Sequence, residues 1–298
     1  MFRPIDSGSP PRRGIEKHLQ AEAPGYCKRR KMRPNGKPDE VSGFRSSPDE
    51  RRILGVKFYV GNVEGVFARL AGGGLLVIPA APALKDVADH AEYRDALANA
   101  DVAIADSALM VLAWNCLQRD SISRLSGLRY LRALLQREDV RRAGETFWVM
   151  ASDESSRKNL AWLNSEGIQV PAAYVYSAPK YDKNLEDQHL LNTLGVLRPR
   201  HVVITVGGGI QERLGHYLKR NLDYLPAIHC VGAAIAFLSG DQVKIPNWAD
   251  RLYLGWLFRC VSAPRRFVPR YLSAPQLLPL LWRYGGELPA TQTSTLQL

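Results

Sequence analysis

HVVITVGGGIQERLGHYL, residues 201–218, decides the fold class. Five successive β-branched residues, Val202 to Val206, form a run that is apolar on both faces. Such a run reads as a strand covered on both sides, the condition of a parallel sheet between helical layers. Three glycines, Gly207 to Gly209, break the strand, and from Gln211 onward Leu214 and Leu218 recur at helical spacing. Working outward, the same unit repeats. Strands are expected at 53–60, 75–80, 102–105, 146–151, 168–176 and 227–231, with helices at 84–99, 107–118, 128–143, 153–166 and 211–222. This alternation predicts one α/β domain with a doubly wound, mostly parallel, Rossmann-like sheet over residues 53–243.

The charge is placed around that core. The 298 residues carry a net charge of +11. Residues 1–52 hold 13 Lys/Arg against 7 Asp/Glu, residues 53–243 hold 20 of each, and residues 244–284 hold 7 against Asp250 alone. The first basic end, with CKRRKMR at 27–33, is rich in Pro, Gly and Ser and lacks apolar periodicity, so a disordered arm is expected over 1–52. The second, within the segment 244–298, interleaves arginines with aromatics: Trp248, Leu252, Trp256 and Arg259 share helical spacing, and Arg265, Arg266 and Arg270 follow beside Phe267 and Tyr271. That pattern suits an interfacial helix on anionic headgroups, or equally a packed helix with a solvated basic face. No apolar run reaches the roughly 20 residues of a membrane span, and the N-terminus has no signal-peptide core. The four cysteines, Cys27, Cys116, Cys230 and Cys260, lack CxxC spacing and read as reduced thiols.

In doubly wound sheets, ligands bind beyond the carboxyl ends of the strands, so strand–helix junctions carry the information. Asp106 follows VAIA and opens a helix, either as a plain N-cap or as a functional carboxylate. Gly207 and Gly208 make a turn whose N–H groups suit phosphate, although the spacing is not GxGxxG and a simple connection explains it equally. The six histidines show no metal-ligand spacing, and no metal or other cofactor is expected.

Taken in order, DALANADVAIADSALMVLAW, SRLSGLRYLRALL, TFWVMASDES, GGGIQERLGHYL and VGAAIAFLSGDQVKIPNWADRLYLGWLFRCVSAPRRFVPRYL resemble the WecG/TagA/CpsF glycosyltransferases over about residues 53–272. The resemblance implies an inverting, metal-independent transfer of an N-acetylmannosamine-like, glucose-like or uronic sugar. The donor is UDP-linked and the acceptor polyprenyl-diphosphate-linked, in cell-surface polysaccharide assembly on the cytoplasmic face of the plasma membrane. It implies Asp106 as general base, Arg124 near the donor, and Gly207, Gly208, Gln211 and Glu212 on the nucleotide side. The C-terminal appendage would complete the site and touch the membrane, with Arg259, Arg265, Arg266, Arg270 and Trp256 at the acceptor diphosphate and lipid. Self-association into a homo-oligomer is open; nucleic-acid binding is not expected, since no reading motif accompanies the basic ends.

The chain also departs from the family pattern. A usual Thr-x-Asn is replaced at Pro79 and Ala81, a Phe-Asp at Ile235 and Ala236, a Gly-x-Asp at Gly127–Arg129, and a frequent Glu at Gly255. Each loss removes a hydrogen-bonding group, worth about 1–3 kcal/mol where it is buried. Changed sugar specificity is one consequence; a weakened homologue serving as a binding or scaffold subunit of an assembly complex is the other.

Overall fold

Side chains that alternate between two apolar faces build the sheet. The computed structural model describes residues 49–182, 185–242, 246, 248–249, 252 and 254–289. Its strands are β1 (Glu50–Ile53), β2 (Val56–Tyr59), β3 (Gly74–Val77), β4 (Val102–Ile104), β5 (Thr146–Met150), β6 (Val175–Ser177), β7 (His201–Ile204) and β8 (Ala227–Cys230). They pair in the order β1-β2-β4-β3-β8-β7-β5-β6, and only the β1–β2 pair is antiparallel. Every residue of β3, β4, β5, β7 and β8 is buried. The doubly wound, mostly parallel α/β fold expected from the sequence is the one observed.

The helices are α1 (Val63–Arg69), α2 (Ala81–Leu84), α3 (Ala91–Ala98), α4 (Ala108–Gln118), α5 (Gly127–Leu134), α6 (Glu138–Arg141), α7 (Asp153–Ser165), α8 (Gln188–Leu197), α9 (Ile210–Asn221) and α10 (Ala236–Ser239). After them come α11 (Gly255–Ser262), α12 (Pro264–Ser273) and α13 (Leu277–Tyr284). On one face of the sheet, Leu75, Val77, Phe147, Val149, Val202, Ile204 and Ile228 pack under α3, α4, α8, α9 and α13. On the other, Leu76, Trp148, Met150 and Val203 pack under α1, α5 and α7. Alternation along each strand thus fills two cores at once.

Gly215 lets α9 lie directly on the sheet: a Cβ there would stand 2.6 Å from Leu75 Cδ1 and 2.8 Å from Cys230 Sγ. The C-terminal helices return to the core. α12 packs on α2, and α13 on α2 and α4. Leu277 and Leu281 of α13 are fully buried, worth about 1.5–3 kcal/mol each. The chain then closes on the β1–β2 hairpin, where Leu54 and Gly55 N–H donate to the carbonyls of Gly285 and Gly286 at 2.9 and 3.0 Å.

Four expected elements are corrected. The run 53–60 is not one strand: Leu54 (φ 49°) and Gly55 (φ 78°) form the left-handed turn of a hairpin whose first strand takes in Glu50–Arg52. The helix expected at 84–99 divides into α2, a 3₁₀ turn at Lys85–Ala88 and α3, with His90 extended between them. The helix expected at 128–143 closes after Leu134, where Gln136 and Arg137 bond three residues back, and resumes as α6. Of 168–176, Pro171 begins a 3₁₀ turn, and only the end joins the sheet, as edge strand β6. Of the disordered arm expected over 1–52, Glu50–Arg52 belong instead to strand β1, and residues 1–48 lie outside the described residues.

Candidate active site

The carboxyl ends of the four central strands, β4, β3, β8 and β7, present Asp106, Pro79 to Ala81, Gly232 and Gly207 to Gly209 in spatial order. Asp106 stands two residues beyond β4. It is not the N-cap of α4; that role falls to Ser107, whose hydroxyl accepts the Met110 N–H at 3.3 Å. The Asp106 carboxylate turns instead to Arg124 and α5. Its Oδ1 accepts Arg124 Nη2 at 2.7 Å and the Gly127 N–H at 3.1 Å, and Arg124 Nε donates to the Asp106 carbonyl at 2.5 Å. Gly127 is the first residue of α5, so one of that helix's unpaired N–H groups is aimed at the carboxylate. Oδ2 accepts no hydrogen bond among the described residues, while the side chain keeps 27 % exposure. The result is a carboxylate with one oxygen clamped and the other available.

Three strand steps away, β7 runs into the glycine turn. Gly209, at φ +89°, caps α9, and its N–H donates to Glu212 Oε2 at 2.7 Å. Gln211 Nε2 donates to Glu212 Oε1 at 3.0 Å. Glu212 is fully buried, and that burial pushes its carboxyl pKa up, against the hydrogen bonds from Gln211 and Gly209 and the Arg270 cation. Gln211 Oε1 is buried with no hydrogen-bond partner and lies beside Gly232, where a Cβ would stand 3.3 Å from it. Arg270, from α12, reaches this turn: its Nη2 is 3.4 Å from where a Gly208 Cβ would be. The residue placed at the acceptor by sequence thus lies over the glycine turn.

Sequence reasoning missed Tyr93 of α3. Its hydroxyl is buried and has no partner among the described residues, and its pKa is raised well above normal by burial and then by the charges of Glu212 and Asp86. A helical tyrosine on an apolar face carries no signal that separates it from ordinary core. Cys230, next to Glu212, is likewise pushed far up by burial, which keeps it an inert thiol.

The other appendage residues are dispersed. Arg259 stacks 4.4 Å over the Phe237 ring and donates to the Tyr271 hydroxyl at 3.1 Å, holding α11 against α10 and α12. Arg265 is exposed on α12; the side chain of Arg266 lies outside the described residues. Trp256, 46 % exposed, stands 6.2 Å from the Tyr271 ring. Leu252, Val261, Leu272 and Trp282 are exposed by 62 %, 76 %, 74 % and 77 %. No helix among the described residues is long and apolar enough to cross a membrane. Of the positions expected to depart from the family pattern, Gly127 lies at the Asp106 carboxylate. Pro79 and Ala81 are buried at the end of β3, where α2 starts without a side-chain cap, and Ala236 is buried at the start of α10.

Residues 51–289 match the glycosyl transferase WecG/TagA/CpsF family. Over 209 residues the chain is 21 % identical to the N-acetylglucosaminyldiphosphoundecaprenol N-acetyl-beta-D-mannosaminyltransferase of Bacillus spizizenii, an alignment spanning 67 % of this chain and 78 % of that protein. A match running from the first strand of the hairpin to the segment that closes on it takes in the whole sheet and every helix described above, and the chain belongs to the WecG/TagA/CpsF family of glycosyltransferases.

Proposed function

We propose that the chain moves a sugar from a UDP donor to a polyprenyl-diphosphate-linked acceptor, inverting the anomeric centre without a metal. The assigned setting is cell-surface polysaccharide assembly at the inner face of the plasma membrane. The half-clamped Asp106 carboxylate carries this reading. Arg124 and the Gly127 N–H fix Oδ1, so Oδ2 is positioned to take the proton of the acceptor hydroxyl as its oxygen bonds to the anomeric carbon. The bond to UDP breaks on the opposite side of the sugar, and the leaving diphosphate gains charge. The Gly207–Gly208 turn, the Gln211 side chain and the Arg270 guanidinium are the groups available to meet that charge.

The spacing accommodates the transferred sugar. β4 and β7 are three inter-strand steps apart, roughly 14 Å at about 4.8 Å per step. That separation leaves room for a hexose between a base at one end and a diphosphate at the other. The exposed Trp256, Leu272 and Trp282, with the exposed Arg265, give the C-terminal helices an apolar and basic surface for an anionic bilayer that holds the acceptor.

The test is UDP release by the full chain with lipid vesicles, a panel of UDP-sugars and a polyprenyl-diphosphate-sugar acceptor. One donor is expected to give acceptor-dependent release, and Asp106→Asn, which keeps the shape and the donor contacts to Oδ1, is expected to lose roughly 10²–10⁴-fold. Full activity in Asp106→Asn would remove the base assignment. Donor binding without turnover on any acceptor would favour a scaffold subunit.

A further inference from the structure

The end of the sheet opposite the candidate active site holds a cavity with a mixed apolar and polar wall. It encloses about 310 Å³ beneath the amino ends of β7 and β8. Into it leads a chain of buried side chains. The Tyr130 hydroxyl lies 2.8 Å from His229 Nδ1, and His229 Nε2 lies 3.1 Å from His201 Nδ1. His229 and His201 are 1 % and 6 % exposed.

The protons along this chain have one direction that pairs both the Tyr130 and the His229 donors. The Tyr130 O–H donates to His229 Nδ1, and the His229 Nε2–H donates to His201 Nδ1, which leaves the His201 proton on Nε2. The reverse direction strands the Tyr130 proton and turns a lone pair of His201 toward the Asp139 carboxylate. Burial lowers the pKa of both imidazoles, His229 the further, in keeping with a neutral pair. His201, in the cavity wall, then carries on Nε2 a buried N–H without a hydrogen-bond partner among the described residues; Asp139 Oδ2, at 3.5 Å, is near enough for charge attraction but out of hydrogen-bond geometry. The Tyr224 hydroxyl, also on the cavity wall, is buried and unpartnered as well.

Three arginines surround these donors. Arg137 stacks 4.8 Å over Phe67 and grips Asp139 through two nitrogens at 3.0 and 2.7 Å. Arg198 stacks 4.6 Å over Tyr224 and pairs with Asp223. Among the described residues, Arg200 is held only by the longer 3.8 Å approach to Asp139, and its side chain is 55 % exposed. With Arg137 on Asp139 and Arg198 on Asp223, Arg200 is the guanidinium left with the weakest compensation, and it gives the cavity its positive charge. Stacking on the rings fixes the planes of two of them before any ligand arrives, and planar guanidinium forks match phosphate oxygens. The remaining wall, Leu134, Pro226 and the exposed Gly72 loop, is apolar or bare backbone.

We infer that this cavity binds an organic phosphate of mononucleotide size, with the phosphate on Arg200, Arg198 and the His201 N–H and the organic part on the apolar wall. The volume lies at the lower end of the range for small-molecule sites. The site is separate from the glycosyl-transfer chemistry and stands whether or not that reading holds.

The experiment is a titration of AMP and, separately, pyrophosphate into the full chain with ¹⁵N-labelled histidine, reading the imidazole resonances of His201 and His229. AMP is expected to shift both saturably. Arg200→Glu, at a half-exposed position whose change leaves the core intact, is expected to weaken AMP about tenfold or more, with Arg198→Glu as the second variant. Arg270→Glu, at the other end of the sheet, is expected to leave AMP binding unchanged. The inference is overturned by the absence of a saturable shift up to about 10 mM AMP. It is equally overturned by equal affinity in wild type and both rim variants, by loss of AMP binding in Arg270→Glu, or by pyrophosphate binding as tightly as AMP.

Discussion

Replacing Arg270 by alanine separates two roles for the C-terminal helices. If they only dock on lipid, Arg270 is a surface charge; if they complete the donor site, it is part of the chemistry. The geometry favours the second, because Nη2 rests against Gly208 and the guanidinium offsets the buried charge of Glu212. A charge-assisted hydrogen bond is worth about 1.5–3 kcal/mol, and a donor aimed at developing negative charge about 2.7–4 kcal/mol. Loss of one such group therefore lowers kcat/KM roughly 10- to 10³-fold at about 1.4 kcal/mol per decade. Arg270→Lys recovers part of this, since the charge stays while the fork is lost. The assay is UDP release on a short, water-soluble acceptor without vesicles, repeated with the long-chain acceptor in vesicles. The expected deficit is the same in both. Wild-type kcat/KM on the soluble acceptor, with loss confined to vesicles, would refute the placement of Arg270 at the donor.

Two further outcomes follow from the packing and protonation of α9. Gly215→Ala gains helix propensity but drives a methyl into Leu75 and Cys230, both fully buried. A net loss of about 1–2 kcal/mol is expected, seen as a fall of roughly 2–4 °C in Tm per kcal/mol. Glu212 titrates the opposite way from a paired surface carboxylate. Its folded pKa lies above the unfolded value of about 4.3, so the folded state binds the proton more tightly and stability falls as pH rises from there through the raised folded value. Glu212→Gln removes that slope. The stability of the wild type relative to this variant, measured by denaturant titration, is expected to be greatest below about pH 4 and to shrink upward.

The fold was legible because periodicity is local. Strands buried on both faces and glycine-broken junctions locate β3, β4, β5, β7, β8 and α9 without any partner in view. Where a single residue decides, periodicity was silent. Leu54 in a left-handed conformation turns one apparent strand into a hairpin, a conformation that a β-branched-rich run does not announce. Asp106 was identifiable as a junction residue, but its choice between capping α4 and facing Arg124 depends on Ser107 taking the cap and on α5 starting nearby. Arg270 was identifiable as basic appendage, but its reach to Gly208 depends on α12 packing on α2, a contact between residues nearly 190 positions apart in the chain. Tyr93, and the linked Tyr130, His229 and His201, come from separate elements, so no spacing in the sequence joins them.

Tyr93 tests what those unmatched groups are for. Its ring is 97 % buried, and its hydroxyl has no partner, next to Glu212 and within the field of Arg270. An unsatisfied buried hydroxyl costs about 1–3 kcal/mol, and phenylalanine fills the same volume without it. Were the hydroxyl only a defect, Tyr93→Phe would be a gain in every respect. A chain that keeps such a cost beside a second unpartnered atom, Gln211 Oε1, keeps it at the end of the sheet where the donor is proposed to bind. Tyr93→Phe is therefore expected to raise Tm by at least about 2–4 °C while lowering kcat/KM about tenfold. Calorimetry and the UDP-release assay on one preparation read both. A stabilised variant with undiminished kcat/KM would make the hydroxyl a passive fault of packing, and a destabilised one would show that it has a partner in the folded protein.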